Sequence, residues 1–314
     1  MKAVMYHYVR KPLSEVPYFT YLDSDQFEKQ LDYFSENYSI ITREQYLTAL
    51  NNGQAPANSL VLTFDDGLAD HYDFVRPALL KRKMWGMFFI STSPYSEHRL
   101  LDVHRTHYLL GRIGGAEFLK QVNSRIKEEM LLRDRIEILQ SNTYTHQNNR
   151  EAVTSVKRLL NYLIRPDARR EILDEIIREI VGDEELLAKR FYLSVEQITQ
   201  MVDDGFGIGC HAHSHTLLSN LSQSEQRYEV LESTRILDRL TEGRLFPCFC
   251  YPYGGRHSYD RNTLTLIETA KYASGFSVES RDIANSDLVN YKFELPRYDC
   301  NEFPHGRAVV GEPL

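Results

Sequence analysis

The sequence has few cysteines, no long apolar run and no excess of basic residues. The four cysteines in 314 residues are Cys210, Cys248, Cys250 and Cys300. They lack the paired spacing of a zinc knuckle, so we expect reduced, buried thiols rather than a disulfide framework. No stretch approaches the roughly 20 apolar residues that cross a bilayer. The N-terminus has no signal-peptide core, so we expect a cytoplasmic protein without a transmembrane segment.

The charge balance also limits the classes of binding partner that we expect. With 37 basic and 44 acidic residues the formal charge is −7. Charges of both signs are spread along the chain, which gives no reason to expect a nucleic acid or an anionic membrane surface as partner.

Short apolar runs rich in β-branched and aromatic residues alternate with helical patterns. The runs predict buried strands at 3–9, 39–42, 60–64, 86–91, 207–211, 247–251 and 275–278. Helical patterns lie between several of them, at 23–37 and 194–205. Asp23 with Gln26, and Ser194 with Gln197, predict a capping box at the start of each helix. Strands and helices in alternation indicate an α/β fold with a mainly parallel sheet.

Residues from about 100 to 190 interrupt this alternation. They are charged and helix-favouring, without a strand pattern, so we interpret them as a helical insertion with a polar loop at 141–149. A chain of this length suits one barrel domain. We therefore expect a single catalytic domain over 1–314 that contains the insertion. His104 and His107 lie where the insertion begins, and they fit a helix that uses one histidine at its buried edge. The alternative is that they contact substrate at the mouth of the site, and we do not expect a second metal site there.

Two adjacent carboxylates end a buried strand in LVLTFDDG. Neighbouring residues at a strand end point in different directions, so Asp65 and Asp66 are expected to do different work. One can bind a metal while the other faces a substrate water, and the carboxyl ends of parallel strands are where sites are built. An Asp-Asp-Gly turn that caps the next helix explains the dipeptide equally well.

Three histidines alternate in GIGCHAHSHTLLS, at His211, His213 and His215. Two histidines four residues apart can converge on one ion if the strand turns there, and one carboxylate completes a set with open positions for water and substrate. Such a set suits zinc, and also iron, cobalt or nickel. A lone histidine is more often structural, and His213 is the one of the three that we expect to be so.

These motifs resemble those of a known family. TFDDG, the histidine pair of HAHSH and the later CYPYGG resemble, in the same order, the first three motifs of the polysaccharide deacetylase family, also called carbohydrate esterase family four. The resemblance covers roughly residues 1–98 and 192–298. It implies a distorted (β/α) barrel and one divalent metal ion, for which the ligand set favours zinc over iron, cobalt or nickel. It also implies Asp66, His211 and His215 as ligands and Asp65 as the general base.

The opening VMYHYV resembles a permuted branch of that family, in which the strand that bears the acid histidine comes first. This implies that His7 protonates the departing nitrogen, although a histidine at a strand end can also simply bond a loop. His305, in EFPHG, is the second candidate for the acid. Arg297, in ELPRY, matches a late Pro-Arg of the branch. We expect it to orient Asp65 through a charge-assisted pair, or else to form a structural salt bridge.

The segment Tyr251, Pro252, Tyr253, Gly254 is the candidate substrate-binding loop. A backbone N–H in this loop is a candidate donor to the oxyanion that forms when an amide is attacked. The sequence departs from the better-known family pattern because its late motifs contain no tryptophan, the one tryptophan being Trp85.

The residues indicate metal-assisted amide hydrolysis, and the resemblance implies that the reaction removes an N-acetyl group from an amino sugar or oligosaccharide. A saccharide intermediate of surface-polysaccharide synthesis fits a cytoplasmic enzyme. The alternatives are a deformylase or another hydrolase of small non-peptide amides or imides, and a catalytically silent carbohydrate-binding relative. The complete set of two Asp and two His argues against the silent relative. Nothing in the sequence decides the oligomeric state.

Overall fold

A computed structural model describes residues 1–132 and 151–311. The polar loop expected at 141–149 lies outside the described residues. The chain divides into two compact units. The first comprises Met1–Lys11, Tyr21–Arg99 and Ala188–Val309, and the second comprises Pro12–Thr20, Leu100–Leu187 and Val310–Leu314. The expectation of one catalytic domain over the whole chain stays a prediction.

The strands in the described residues are β1 Lys2–Tyr6, β2 Val9–Arg10, β3 Thr20–Asp23, β4 Ser39–Ile40, β5 Ser59–Phe64, β6 Gly86–Ile90, β7 Gly207–Cys210, β8 Cys248–Cys250, β9 Ser274–Phe276, β10 Tyr298–Asp299 and β11 Val309–Val310. Eight of them form the parallel sheet of the first unit, in the order β10-β1-β5-β6-β7-β8-β9 with β4 paired to β5. The α/β fold with a mainly parallel sheet is therefore confirmed. The run at 3–9 covers most of β1 and the first residue of β2, and the short β3, β10 and β11 were not predicted.

Parallel strands gather the residues that follow them at one edge of the sheet. His7 follows β1, Asp65 follows β5, His211 follows β7 and Tyr251 follows β8. Pairing of β1 with β5, and of β6 and β8 with β7, sets these strand ends side by side. The candidate residues of four separate sequence segments are thus brought to one edge.

Stacked aromatic rings hold β1 and β5, the two strands that precede His7 and Asp65. The Phe64 ring lies between the rings of Tyr6 and Phe88, with centroids 5.1 and 4.7 Å away. Phe27 of the first helix meets Tyr6 edge-on at 5.1 Å. All four side chains are buried, and aromatic pairs in these geometries add stabilisation beyond the area they bury. The strand ends are therefore fixed by a packed core directly beneath them.

The helices are α1 Ser24–Asn37, α2 Arg43–Asn52, α3 Arg76–Arg82, α4 Ser93–Glu97, α5 Asp102–Asn123, α6 Glu151–Arg158, α7 Pro166–Ile180, α8 Glu184–Phe191, α9 Val195–Asp203, α10 Gln223–Leu240, α11 Arg261–Thr269 and α12 Asn285–Asn290. A π-helical turn, His71–Val75, leads into α3. The predicted capping box of Ser194 and Gln197 is present at α9. At α1, Asp23 caps the Asp25 N–H, but the Gln26 side chain bonds His305 instead of closing a box.

The second unit is helical in the residues that the structure describes between 100 and 187. Its core includes Leu109 and Phe118 of α5, Leu160, and Leu173 and Ile176 of α7, all fully buried. Inside this unit the buried Arg105 guanidinium meets the Glu184 carboxylate through two nitrogens, each 2.6 Å from an oxygen. His104 is buried on the same helix. None of the described helices is both long and apolar enough to cross a membrane.

The cysteines are free thiols, as predicted. Cys210 of β7 and Cys248 and Cys250 of β8 are fully buried, while Cys300 is partly exposed. Burial raises the pKa of the Cys210 thiol to about 11 and that of the Cys248 thiol to about 12. These thiols are therefore neutral at physiological pH.

Candidate metal-dependent active site

The two carboxylates of TFDDG are separated by a sharp turn of the backbone. The Asp65 N–H donates to the Tyr6 carbonyl at 2.9 Å and so continues the pairing of β5 with β1. Asp66 and Gly67 then both adopt left-handed conformations, with φ of 83° and 66°. A β carbon on Gly67 would lie 2.9 Å from the Ile90 side chain, so this position requires glycine. The turn gives the two neighbouring carboxylates different surroundings.

The histidine loop after β7 is also bent by left-handed residues. The His211 N–H still donates to the Ile90 carbonyl at 3.0 Å, and then Ala212 and His215 have φ of 59° and 53°. The Nε2 atoms of His211 and His215 lie 3.5 and 3.4 Å from Asp66 Oδ1. All three side chains are buried, and their ligand atoms lie within 4.8 Å of one another.

The His211 ring is oriented by the neighbouring strand. Its Nδ1 lies 2.8 Å from the Cys250 carbonyl, which can only accept, so Nδ1 carries the proton and Nε2 presents a lone pair toward Asp66. Burial lowers the pKa of His211, against the opposing effect of Asp65 and Asp66, so the ring is neutral near pH 7. A backbone carbonyl behind a metal-binding imidazole is a common arrangement in proteins. Two imidazole nitrogens and one carboxylate fit a divalent transition metal.

A second group of potential ligands, Asp65, His211 and Cys250, also has its ligand atoms within 4.8 Å. The Arg297 guanidinium lies among them, 2.8 Å from Asp65 and 3.0 Å from the Cys250 sulfur. Its positive charge opposes a cation there. Burial raises the pKa of Cys250 well above its usual value, and a neutral thiol is a poor ligand. The group around Asp66 is therefore the better metal site.

Asp65 and Arg297 form a buried bidentate ion pair. Arg297 donates to Oδ1 and to Oδ2, each at 2.8 Å, and one of its nitrogens also reaches Thr63 Oγ1 at 3.1 Å. Asp65 is 2% exposed and Arg297 1%. Burial alone would raise the pKa of Asp65, but the charge and hydrogen bonds of Arg297, together with the electrostatic effects of His211 and His7 once their rings are protonated in acid, outweigh it and lower the pKa to about 2. The carboxylate is thus ionised and held in one orientation.

His7 lies at the open side of this pair. Its Nε2 is 3.9 Å from Asp65 Oδ2, and the side chain is 42% exposed. His305, the other candidate for the acid, is exposed, and its Nδ1 lies 3.2 Å from Gln26 Oε1 of α1. The structure therefore brings His7 to the Asp65 carboxylate, while His305 pairs with a helix side chain.

The loop after β8 presents one aromatic ring to the histidines. The Tyr253 ring centroid is 5.1 Å from that of His215. Tyr251 is instead buried, stacked on Tyr259 at 4.0 Å, and its hydroxyl donates to the Phe293 carbonyl at 2.8 Å. Of the two tyrosines, Tyr253 is therefore the one whose side chain lies beside the candidate ligands.

The backbone of the same loop is tightly fixed. Pro252 and Gly254 are buried, and Gly254 has φ of 68° with no room for a β carbon beside the Val278 side chain. The N–H groups of Tyr251 and Gly255 donate to carbonyls within the protein. Because these two N–H groups are already bonded, the backbone N–H of Gly254 stays a candidate for the oxyanion donor.

Sequence reasoning missed two buried residues that touch the site. His71, in the π-helical turn, donates from Nε2 to the His7 carbonyl at 2.9 Å. Burial lowers the pKa of His71 to about 4, so it stays neutral. Glu229 of α10 bonds the loop that carries His211 and His215. His71 lies four residues beyond the DDG turn, so a search motif extended by four residues would have included it. Glu229 is one of many charges in a helical pattern, and nothing local marks it.

Comparison with known proteins gives a match at the level of the family. Residues 176–275 match the family model described as polysaccharide deacetylase. The resemblance to the polysaccharide deacetylase family is confirmed. The matched segment contains the histidine loop and CYPYGG and lies apart from Asp65 and Asp66. No curated protein matches the chain significantly. The special likeness of the MYH opening to the permuted branch stays a prediction.

Several solved deacetylase structures share the fold. The Streptococcus pyogenes deacetylase PplD in complex with acetate has a TM-score of 0.57 at 17% identity, over 95% of this chain and 91% of that one. A de-N-acetylase from Aggregatibacter actinomycetemcomitans has 0.51 at 11% identity, over 94% and 93%. The BpsB deacetylase domain from Bordetella bronchiseptica has 0.51 at 13% identity, over 95% and 94%. These likenesses establish the fold, which is the deacetylase (β/α) barrel expected from the sequence motifs.

Proposed function

We propose that the protein is a metal-dependent hydrolase that removes an N-acetyl group from an amino sugar. The observation that carries the proposal is the arrangement at one sheet edge. A buried Asp66, His211, His215 set adjoins an ionised Asp65 that Arg297 orients, with His7 3.9 Å away. A carbohydrate-binding relative without activity would not need the buried base and its arginine in addition to the ligands.

Asp66, His211 and His215 would hold one divalent ion, with zinc the first candidate and iron, cobalt or nickel the alternatives. Such an ion acidifies water from a pKa of about 15.7 toward about 7 and polarises an amide carbonyl. The carbonyl of Cys250 fixes the His211 tautomer in the form that ligation requires.

Asp65 is assigned the role of general base. Its pKa of about 2 keeps it ionised at neutral pH, and the bidentate contact with Arg297 holds its oxygens in place. This oriented carboxylate lies beside the candidate metal ligands, where a metal-bound water would be placed. Arg297 thus acts by orienting Asp65 and keeping it ionised.

His7 is assigned the role of general acid. The departing nitrogen of an amide must be protonated before the C–N bond breaks. The half-exposed His7 ring can face the substrate, and its Nε2 lies 3.9 Å from Asp65 Oδ2, so the proposed acid and base are adjacent. Tyr253 would contact the sugar, and the Gly254 N–H would stabilise the oxyanion.

The substrate class rests on the family. The matched family description names polysaccharide deacetylation, and we take an amino sugar or short oligosaccharide, such as an intermediate of surface-polysaccharide synthesis, as the substrate. A formyl group or a small cyclic imide presents a similar carbonyl to the same residues, so substrate profiling has to separate these reactions.

The test is acetate release from N-acetylglucosamine oligomers by protein loaded with zinc or cobalt. We expect turnover, and a loss of about 10²- to 10⁴-fold in kcat for Asp65→Asn and for His7→Ala. His305→Ala is the matched control and should keep full activity. Activity on formyl amides or imides alone would replace the sugar by those substrates. Saccharide binding without turnover in fully metal-loaded protein would support the silent relative.

A further inference from the structure

A buried carboxylate of α10 holds the middle of the histidine loop. Oε2 of Glu229 accepts the N–H groups of His213 and Ser214 at 2.9 and 2.8 Å, and Oε1 accepts the Ser214 hydroxyl. Glu229 is 6% exposed. Two successive backbone N–H groups that converge on one oxygen form an anion-binding nest. The loop between the two candidate ligands is thus bound around a fixed negative charge.

The opposite side of the same peptide is held by the segment after β6. The His213 carbonyl accepts the N–H groups of Thr92 and Ser93 at 3.1 and 2.9 Å. Thr92 Oγ1 also lies 2.8 Å from Nδ1 of the buried His213 ring. His213 therefore serves as an anchor rather than a ligand, and its N–H and carbonyl are fixed from opposite sides.

The loop needs such anchors because its backbone is locally unfavourable. Ala212 and His215 have φ of 59° and 53°, a region that residues with a β carbon rarely adopt. Conformations of this kind persist when surrounding contacts determine them. The left-handed turns point the His211 and His215 rings toward the same oxygen of Asp66, so the contacts that hold the turns also hold the ligands together.

We infer that Glu229 is a positioning residue that shapes the histidine loop for metal binding. The inference rests on the proposed function, because His211 and His215 are assigned as ligands there. Glu229 itself does not touch the metal position. Its role is to satisfy two buried N–H groups and a hydroxyl in the one loop conformation that brings the two rings together before the ion arrives.

The test compares three substitutions of Glu229 with one control on the same helix. Glu229→Gln keeps an oxygen that can accept both N–H groups. Glu229→Asp withdraws the carboxylate by one methylene, and Glu229→Ala removes it. Gln226→Ala is the control, because Gln226 is also buried on α10 but bonds Asp260, Asn262, Thr263 and the Leu221 carbonyl, and does not bond residues 211–215.

Affinity is measured on metal-free protein, by visible absorption during Co²⁺ titration and by competition for Zn²⁺ with a chelating dye. We expect Glu229→Ala to weaken binding by about 10- to 100-fold, as loss of a supporting hydrogen bond commonly does. Glu229→Asp should be intermediate, and Glu229→Gln should keep most of the affinity. Thermal melting of each metal-free variant reports folding separately, and Gln226→Ala should lower the melting temperature without changing affinity.

The outcomes distinguish the proposed metal-dependent function from the inferred positioning role of Glu229. If the folded wild type binds neither ion, the proposed function fails. If the wild type binds but Glu229→Ala and Glu229→Asp bind as tightly as Gln226→Ala, the metal site stands and the role of Glu229 is overturned. Should Glu229→Ala not fold, the order of Gln above Asp still decides, because a purely structural carboxylate would lower stability without ranking the affinities in this way.

Discussion

Replacing Arg297 by methionine should destabilise the first unit because it leaves a buried charge without its partner. Asp65 is 2% exposed and meets Arg297 through two bonds of 2.8 Å. Removal of one member of a buried pair costs about 3–5 kcal/mol. Methionine suits the vacated space, since the guanidinium lies 5.9 and 5.7 Å from the ring centroids of Phe89 and Phe276, and sulfur packs well against aromatic rings.

The double variant Asp65→Asn, Arg297→Met isolates the pair. With both charges gone, part of the loss should return, and we expect a coupling free energy of about 2–3 kcal/mol. The assay is denaturant unfolding of metal-free protein followed by tryptophan fluorescence. Trp85 is the one tryptophan of the sequence and lies in the first unit, so its signal reports the unit that contains the pair.

Two results would refute the reasoning. A cost for Arg297→Met below about 1 kcal/mol would mean that the pair behaves as an exposed one. Additive effects of the two single changes would mean that the residues do not act together, and that the orientation of Asp65 has another source. His305→Ala serves as a control at an exposed site and should leave the unfolding midpoint unchanged.

Three further predictions concern pH, the metal and His7. The pKa of Asp65 is depressed from 3.8 to about 2, so its ionisation contributes about 2 kcal/mol to the free energy of unfolding. This contribution is fully present above about pH 4 and is lost as pH falls toward 2. Acid titration of stability should show this loss in wild type and not in Arg297→Met. Zinc at 100 times its dissociation constant should stabilise the wild type by about 2.7 kcal/mol, which raises the melting temperature, and His215→Ala should show no such rise. His71→Phe removes the bond to the His7 carbonyl, worth about 1 kcal/mol, so kcat should fall several-fold while cobalt affinity stays constant; an unchanged kcat would show that His7 needs no such support.

The sequence was a good guide wherever chemistry and structure share a local pattern. The apolar runs before Asp65 and His211 identify the strands, and parallel strands place their ends together. The bidentate contact of Arg297 with Asp65 joins residues more than 200 positions apart. That pairing was available only through the family resemblance, because nothing local in ELPRY encodes it.

The features that could not be predicted depend on distant partners. The left-handed conformations of Asp66, Ala212 and His215 run against local preference, so propensity alone would not assign them. The role of Glu229 depends on hydrogen bonds from N–H groups 15 and 16 residues earlier in the chain. Gln26 shows the reverse case, since a good local capping signal is overridden by a contact with His305.

Labelling of the three thiols on β7 and β8 can report transient opening of the sheet. Cys210, Cys248 and Cys250 are fully buried and stay protonated at neutral pH. An alkylating reagent needs an exposed thiolate, so these positions can react only while β7 and β8 are separated from their neighbours. The rate at which they are labelled therefore times the transient exposure of the strands beneath the histidine loop, and comparing it with and without zinc would show whether the ion slows that motion.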